Sequence, residues 1–398
     1  MLTSLSLILL LGFASGFLFE KIKIPKIIGM LFAGIILGPY VLDWFDPKIL
    51  SISAELRKIA LIIILLKAGF SLDLNDLKKV GRPAVLMSFV PASFEIIAYV
   101  IFAPWLLGIS RIDAAVMGAV LSAVSPAVVV PRMVNYIETN WGSKKSIPQM
   151  IMASASCDDI IVIVLFTTFL GIAQEGTVDL KGFLNIPISI IMGILLGISA
   201  GFILHYIFEK AYLNNQYLRN SVKVIIILAV SLLMVTVEDM LKGILSVSGL
   251  LAVVSMACVL KIKSNTNVSE RLSEKFGKIW IAAEIILFVL VGAAVDIRYT
   301  LEAGSSAVLL ILLALIVRSF GVWLSILKTN LSWKEKLFCV IAYLPKATVQ
   351  AAIGSVPLAV GLPSGNLILS VAVMSILITA PIGAAAMDNS YKVLLKNE

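Results

Sequence analysis

Stretches of roughly 20 mostly apolar residues, the length a helix needs to cross a bilayer, recur along the whole chain with only short polar connections between them. That recurrence constrains the fold more than any motif does. Only 14% of the 398 residues are charged and the mean hydropathy is +1.04, whereas a soluble domain of this length carries about 25% charge. Water is therefore not the solvent for most of this surface. The expected fold class is an all-α polytopic membrane protein with thirteen spans, the first at about 2–19 and the last at about 366–386. The first run has no basic residue ahead of it, so it reads as a retained helix rather than a cleaved signal.

Lys and Arg cluster in alternate loops, at Lys21, Lys23, Lys26, Lys144, Lys145, Lys261, Lys263, Lys334 and Lys336. The positive-inside rule then places the N-terminus outside and the C-terminus in the cytoplasm, and the expected setting is a prokaryotic inner or plasma membrane. The net charge of +8 is scattered over short loops and forms no single run, so nucleic acid is not an expected partner; lipid is. Cys157, Cys258 and Cys339 have no CxxC or Cys/His neighbours, which argues against disulfides and zinc. His205 stands beside Tyr206 at the end of an apolar run, where an interfacial anchor is expected.

The two halves of the chain resemble each other. LLKAGFSLDLNDL aligns with VLVGAAVDIRYTL so that Asp73 falls on Asp296, the same spacing carries Glu95 onto Arg318, and Pro126 falls near Pro345. The reading is a first repeat over about 24–173, a linker helix at about 183–208 and a second repeat over about 243–386, all within one transmembrane domain spanning 1–398. Equivalent spans differ by an odd number, so the repeats run through the membrane in opposite directions. Inverted repeats are typical of secondary transporters, whose ion sites lie at interrupted helices near the midplane.

Span five carries Ser125-Pro126 and Pro131, and span twelve carries Pro345 and Pro357. Proline removes a donor and clashes with the preceding turn, so two symmetric helix breaks, crossed, are expected, with Pro126, Pro131 and Pro345 as the breaking residues. Between them in sequence, MASASCDDIIVIVLF puts Asp158 and Asp159 inside an apolar helix. A charged side chain at the bilayer centre costs about 2.5–3.5 kcal/mol on insertion scales, so adjacent acids there call for a function. Hard monovalent cations take oxygen ligands. Burial and a neighbouring like charge both disfavour an ionised carboxyl, which lets proton and cation displace each other. The candidate ion and proton ligands are Asp159, Asp158, Ser125, Ser154 and Ser156, together with carbonyls freed at the breaks, and sodium is the cation placed at Asp158 and Asp159. Glu95 and Arg318 are expected to pair as a structural clamp. Lys346, inside the break of span twelve, is expected to neutralise Asp158 or the carbonyl ends of the broken helices.

VSPAVVVP, SASCDDI and LPKATVQAAIG resemble the signatures of the cation:proton antiporter superfamily, in the branch with two adjacent aspartates and, within it, the NHA-type sodium/proton antiporters. The resemblance covers nearly the whole chain. It implies an NhaA-like antiporter fold of thirteen helices, a mobile core with crossed helices five and twelve, a separate dimerisation domain that makes a homodimer, and alternating access. Asp159 would bind the ion and the proton, with Asp158 as its partner. The sequence departs from the electrogenic members in having Arg318 where they carry lysine, which puts a two-proton stoichiometry in doubt. No cofactor and no enzymatic step are expected. Adjacent aspartates do not suit an intramembrane aspartyl protease, whose two acids must face each other across a scissile bond. A cation channel would need no proton-competing carboxylate. Exchange of sodium or lithium for protons is the leading reading; potassium/proton exchange and sodium-coupled solute symport on the same fold remain open. The segment after Met387 is short, so no soluble regulatory domain is expected.

Overall fold

In lipid every backbone N–H and C=O must be satisfied within the protein, so apolar runs fold as helices. The structure, a computed structural model, describes residues 1–71, 80–175, 180–213, 218–241 and 247–397; Asp73 lies outside them. It is helical almost throughout: among the described residues there is no strand, only an isolated bridge between Trp141 and Asn397.

In chain order the helices are α1 (Leu2–Lys21), α2 (Lys26–Leu37), the short α3 (Pro47–Ser51), α4 (Ser53–Ser71), α5 (Arg82–Met87), α6 (Val90–Leu107), α7 (Arg111–Leu121) and α8 (Pro126–Glu138). Then follow α9 (Ile147–Glu175), α10 (Leu180–Leu213), α11 (Asn220–Leu241), α12 (Gly249–Lys263), α13 (Thr266–Ala293) and α14 (Ile297–Ser325). The last are α15 (Trp333–Ala342), α16 (Thr348–Gly354), α17 (Val356–Ala359) and α18 (Gly365–Leu394). Several begin on side-chain caps. Ser110 Oγ accepts from Asp113 N at 3.0 Å, and Ser332 and Glu335 form a reciprocal capping box at the start of α15, satisfying N–H groups that have no partner inside the helix.

Nine helical stretches among the described residues are long and apolar enough to cross a membrane. The other four expected spans coincide with shorter or more polar elements, and each has a reason. Helix α2 stops before Gly38-Pro39, α4 carries Glu55, Arg57, Lys58 and Lys67, α12 starts only after the Ser248 cap, and the segment 333–359 is broken into α15, α16 and α17. Near its start α14 bends at Gly304, whose φ of +35° only glycine adopts readily.

The chain sorts into two units. One is built from Met1–Ala54, Asp73–Ala173 and Ile285–Glu398, the other from Glu55–Leu72 and Gln174–Glu284. The second is tied together by close helix contact: a Cβ on Gly193, Gly197 or Gly201 of α10 would fall 2.6 Å from Ser248 O, 2.2 Å from Ala252 O and 2.7 Å from Val259 Cβ respectively. Small residues at every fourth position let two membrane helices approach to backbone contact.

The first unit contains two helix breaks. Ser125 has extended backbone (φ −92°, ψ 107°) and Pro126 restarts the helix as the first residue of α8, as expected when the residue before a proline is kept out of the helical region. The second break runs from Tyr343 to Ala347 around Pro345, between α15 and α16. The two touch: Ser125 N donates to Pro345 O at 2.9 Å. Pro131 requires a correction, because it lies inside α8 and interrupts nothing. It comes after the helix has already restarted at Pro126, so its missing N–H removes one bond, to the Ala127 carbonyl, from an otherwise complete ladder.

Candidate functional site

Where α7 ends, the carbonyls of Leu121, Ser122 and Ala123 have no partners in their own helix. Side chains from other helices supply them. Arg318 of α14, fully buried, donates through Nη1 to Ser122 O and through Nε to Tyr343 O at 2.8 Å, so one guanidinium joins both breaks. Gln350 of α16 donates to Ala123 O at 2.7 Å and to Leu121 O at 3.3 Å. Each of these carbonyls thus accepts one side-chain donor and keeps a second lone pair.

The charges gather on the same spot. Glu95 Oε2 of α6 lies 2.7 Å from Arg318 Nη1 and 2.5 Å from Lys346 Nζ, and all three residues are buried. Lys346 thus sits on Glu95, not on Asp158 or a helix end as expected, because Arg318 already occupies the Ser122 carbonyl and stands beside Asp158. Asp158 Oδ2 of α9 accepts from Val124 N at 2.8 Å, inside the first break, and is 3.5 Å from Arg318 Nη2. Asp158 Oδ1, Asp159 Oδ1 and Ser125 Oγ are buried without a hydrogen-bond partner among the described residues. Unsatisfied buried oxygens call for an explanation; two on adjacent acids of α9, one of which reaches the break at Val124 N, and one at Ser125 of that break are hard oxygens of the kind a cation takes.

The two other serines behave differently. Ser154 Oγ donates to Met150 O at 2.7 Å and accepts from Tyr343 Oη at 2.5 Å, and Ser156 Oγ donates to Met152 O at 3.0 Å. Both hydroxyls donate to carbonyls of their own helix, a bond open to any serine one turn after a carbonyl, and each oxygen keeps a lone pair with which to coordinate a cation. Tyr343, Gln350 and Thr379 were not singled out from the sequence. Thr379 Oγ1 of α18 accepts Lys346 N at 2.9 Å, and the Arg318 guanidinium lies 5.4 Å from the Tyr343 ring centroid. The available signal was that a polar side chain in an apolar span must find a partner.

Residues 5–387 match the family model described as sodium/hydrogen exchanger, transmembrane. The chain belongs to the sodium/hydrogen exchanger family. Sodium/hydrogen exchanger 9B2 of Xenopus tropicalis is 33% identical over 401 residues, covering 96% of this chain and 73% of that protein. The human protein of the same name is 34% identical over 374 residues, covering 91% and 68%. Among solved structures, the sodium proton antiporter MjNhaP1 from Methanocaldococcus jannaschii superposes with a TM-score of 0.83 at 21% identity, over 99% of this chain and 98% of that one. This exchanger-family chain therefore has the antiporter fold. One expectation falls here: the curated relatives are vertebrate proteins, which overturns the placement in a prokaryotic membrane and leaves an integral, multi-pass membrane protein.

Proposed function

We propose that this protein is a secondary transporter that exchanges sodium, or lithium, for protons, with Asp159 and Asp158 binding cation and proton in competition. The observation that carries this reading is that Asp158 Oδ1 and Asp159 Oδ1, adjacent on α9, and Ser125 Oγ, at the break that Asp158 reaches through Val124 N, are buried without partners among the described residues. A bare cation satisfies them with oxygen coordination, and a proton on Asp159 removes the charge that would otherwise be stranded in an apolar helix. Arg318, Lys346 and Glu95 hold the crossing of the two breaks without joining the exchange. The sodium/hydrogen exchanger and sodium proton antiporter names of the relatives support sodium over potassium or a coupled solute.

The same reading takes the chain as one transmembrane domain of two inverted repeats, about 24–173 and 243–386, joined through a helix at about 183–208. The Glu95–Arg318 contact spans 223 residues, the spacing at which the halves align, and this supports the assignment. The homodimer is inferred from the resemblance to dimeric antiporters, and light scattering of the detergent-solubilised protein tests it.

The exchange itself is tested in proteoliposomes carrying a pH gradient, with an internal pH dye, on addition of sodium, lithium or potassium. Sodium and lithium are expected to move protons in the wild type and not in Asp159→Asn. A response to potassium alone, or an undiminished response in Asp159→Asn, overturns the reading.

A further inference from the structure

Gln350 is fully buried, bears no charge and touches both broken helices. Its Oε1 accepts the Ala347 N–H at 2.8 Å, at the start of α16, while its Nε2 donates to Ala123 O and Leu121 O at the end of α7. Ala347 presents a donor and Ala123 an acceptor, so the group between them must both accept and donate, which fixes the orientation of the amide. The next backbone groups along the first break are Val124 N, which holds Asp158 Oδ2, and Ser125 N, which holds Pro345 O. Ser125 also carries the hydroxyl that has no partner.

From this geometry we propose that Gln350 is a positioning residue for the cation site. Its amide pins the peptide at Ala123, and through it the adjoining Val124 and Ser125, so that the Asp158 carboxylate and the Ser125 hydroxyl stand in place for the ion. Gln350 does not itself need to touch the cation. This inference rests on the exchange reading and deepens it. Partners one step removed from an ion's ligands typically change affinity by about 10–100-fold when removed, so the effect belongs in the sodium KM more than in kcat.

Two variants separate positioning from mere packing. Gln350→Met keeps the length and removes both hydrogen bonds. Gln350→Glu keeps the shape: protonated, its carboxyl accepts from Ala347 N and donates to Ala123 O as the amide does; ionised, it can only accept. The charged groups gathered at the breaks are Glu95, Asp158, Asp159, Arg318 and Lys346, and all are unchanged in both variants. The measurement is the ratio of variant to wild-type sodium KM in proteoliposomes across a pH series, with kcat alongside and gel filtration to verify a monodisperse protein. The ratio for Gln350→Met is expected to be raised about tenfold or more at every pH, in line with loss of a supporting contact. The ratio for Gln350→Glu is expected to be near one at the acid end and to climb as pH rises. A Glu ratio that stays flat with pH, or a fall in kcat at unchanged KM, overturns the proposal, and the Glu variant decides the matter if the Met variant does not fold. Wild type that moves no protons with sodium would overturn the exchange reading itself; wild type that exchanges beside variants with ratios of one overturns only the role of Gln350.

Discussion

Ser125 and Glu95 illustrate two kinds of buried polar side chain. The Ser125 hydroxyl has no hydrogen-bond partner, so Ser125→Ala breaks nothing in the unliganded protein and removes a prospective ligand. Its melting temperature in detergent should match the wild type while its sodium KM rises; an unchanged KM would remove Ser125 from the site. Glu95 is the reverse case. One carboxylate oxygen faces both Arg318 and Lys346, and removing one partner of a buried ion pair costs about 3–5 kcal/mol because the other charge is left unpaired. Glu95→Gln should therefore lower the melting temperature markedly, and adding Lys346→Met should recover part of the loss, a coupling that a double-mutant cycle measures. The acids and Arg318 were legible in the sequence because charge inside an apolar span is conspicuous. Which acid Lys346 meets was not, since spacing alone does not distinguish Glu95 from Asp158, and Gln350 was passed over because nothing in its spacing shows that it reaches the carbonyls at the end of α7.

Among the elements, helix identity was readable and helix interruption only partly so. The breaks at Ser125-Pro126 and around Pro345 follow from local backbone chemistry, whereas Pro131 carries the same chemistry and breaks nothing, because the surrounding turns decide whether one lost bond is tolerated. The start of α12 is not readable from hydropathy, which does not register the Ser248 cap that sets it. The contact between α10 and α12 depends on something hydropathy also ignores, the repeat of Gly193, Gly197 and Gly201. Gly197→Val would drive a branched side chain into the Ala252 carbonyl, and overpacking of this kind costs about 1–3 kcal/mol. A Cβ at Gly171 of α9 meets nothing within 4 Å, so Gly171→Ala should be neutral or stabilising, by up to about 1 kcal/mol from helix propensity. Melting temperatures of the two variants compare the effects directly; equal melting would mean that the glycine repeat does not hold this pair of helices.

For the molecule as a transporter, the decisive quantity is the number of protons exchanged per cation, and the arrangement of charges bears on it. Of the acids around the breaks, Glu95 is balanced by Arg318 and Lys346, and Asp158 is held by Val124 N and stands beside Arg318. Asp159 has no basic partner within 4.0 Å among the described residues. Of the two aspartates it is the one less held in its ionised form, so it is the expected carrier that takes up a proton when the cation leaves, while Arg318 cannot serve as a second carrier because a guanidinium keeps its proton in proteins. One proton for one monovalent cation moves no net charge. Exchange should then proceed at the same rate whatever the membrane potential, since only an uncompensated charge couples to the field, at about 2.3 kcal/mol per 100 mV. Sodium-driven proton movement in proteoliposomes clamped at opposite potentials with potassium and valinomycin measures this. Acceleration at one polarity would mean that a second group, Asp158 or Lys346, exchanges a proton in each cycle, and Asp158→Asn or Lys346→Met would then have to abolish the sensitivity to potential.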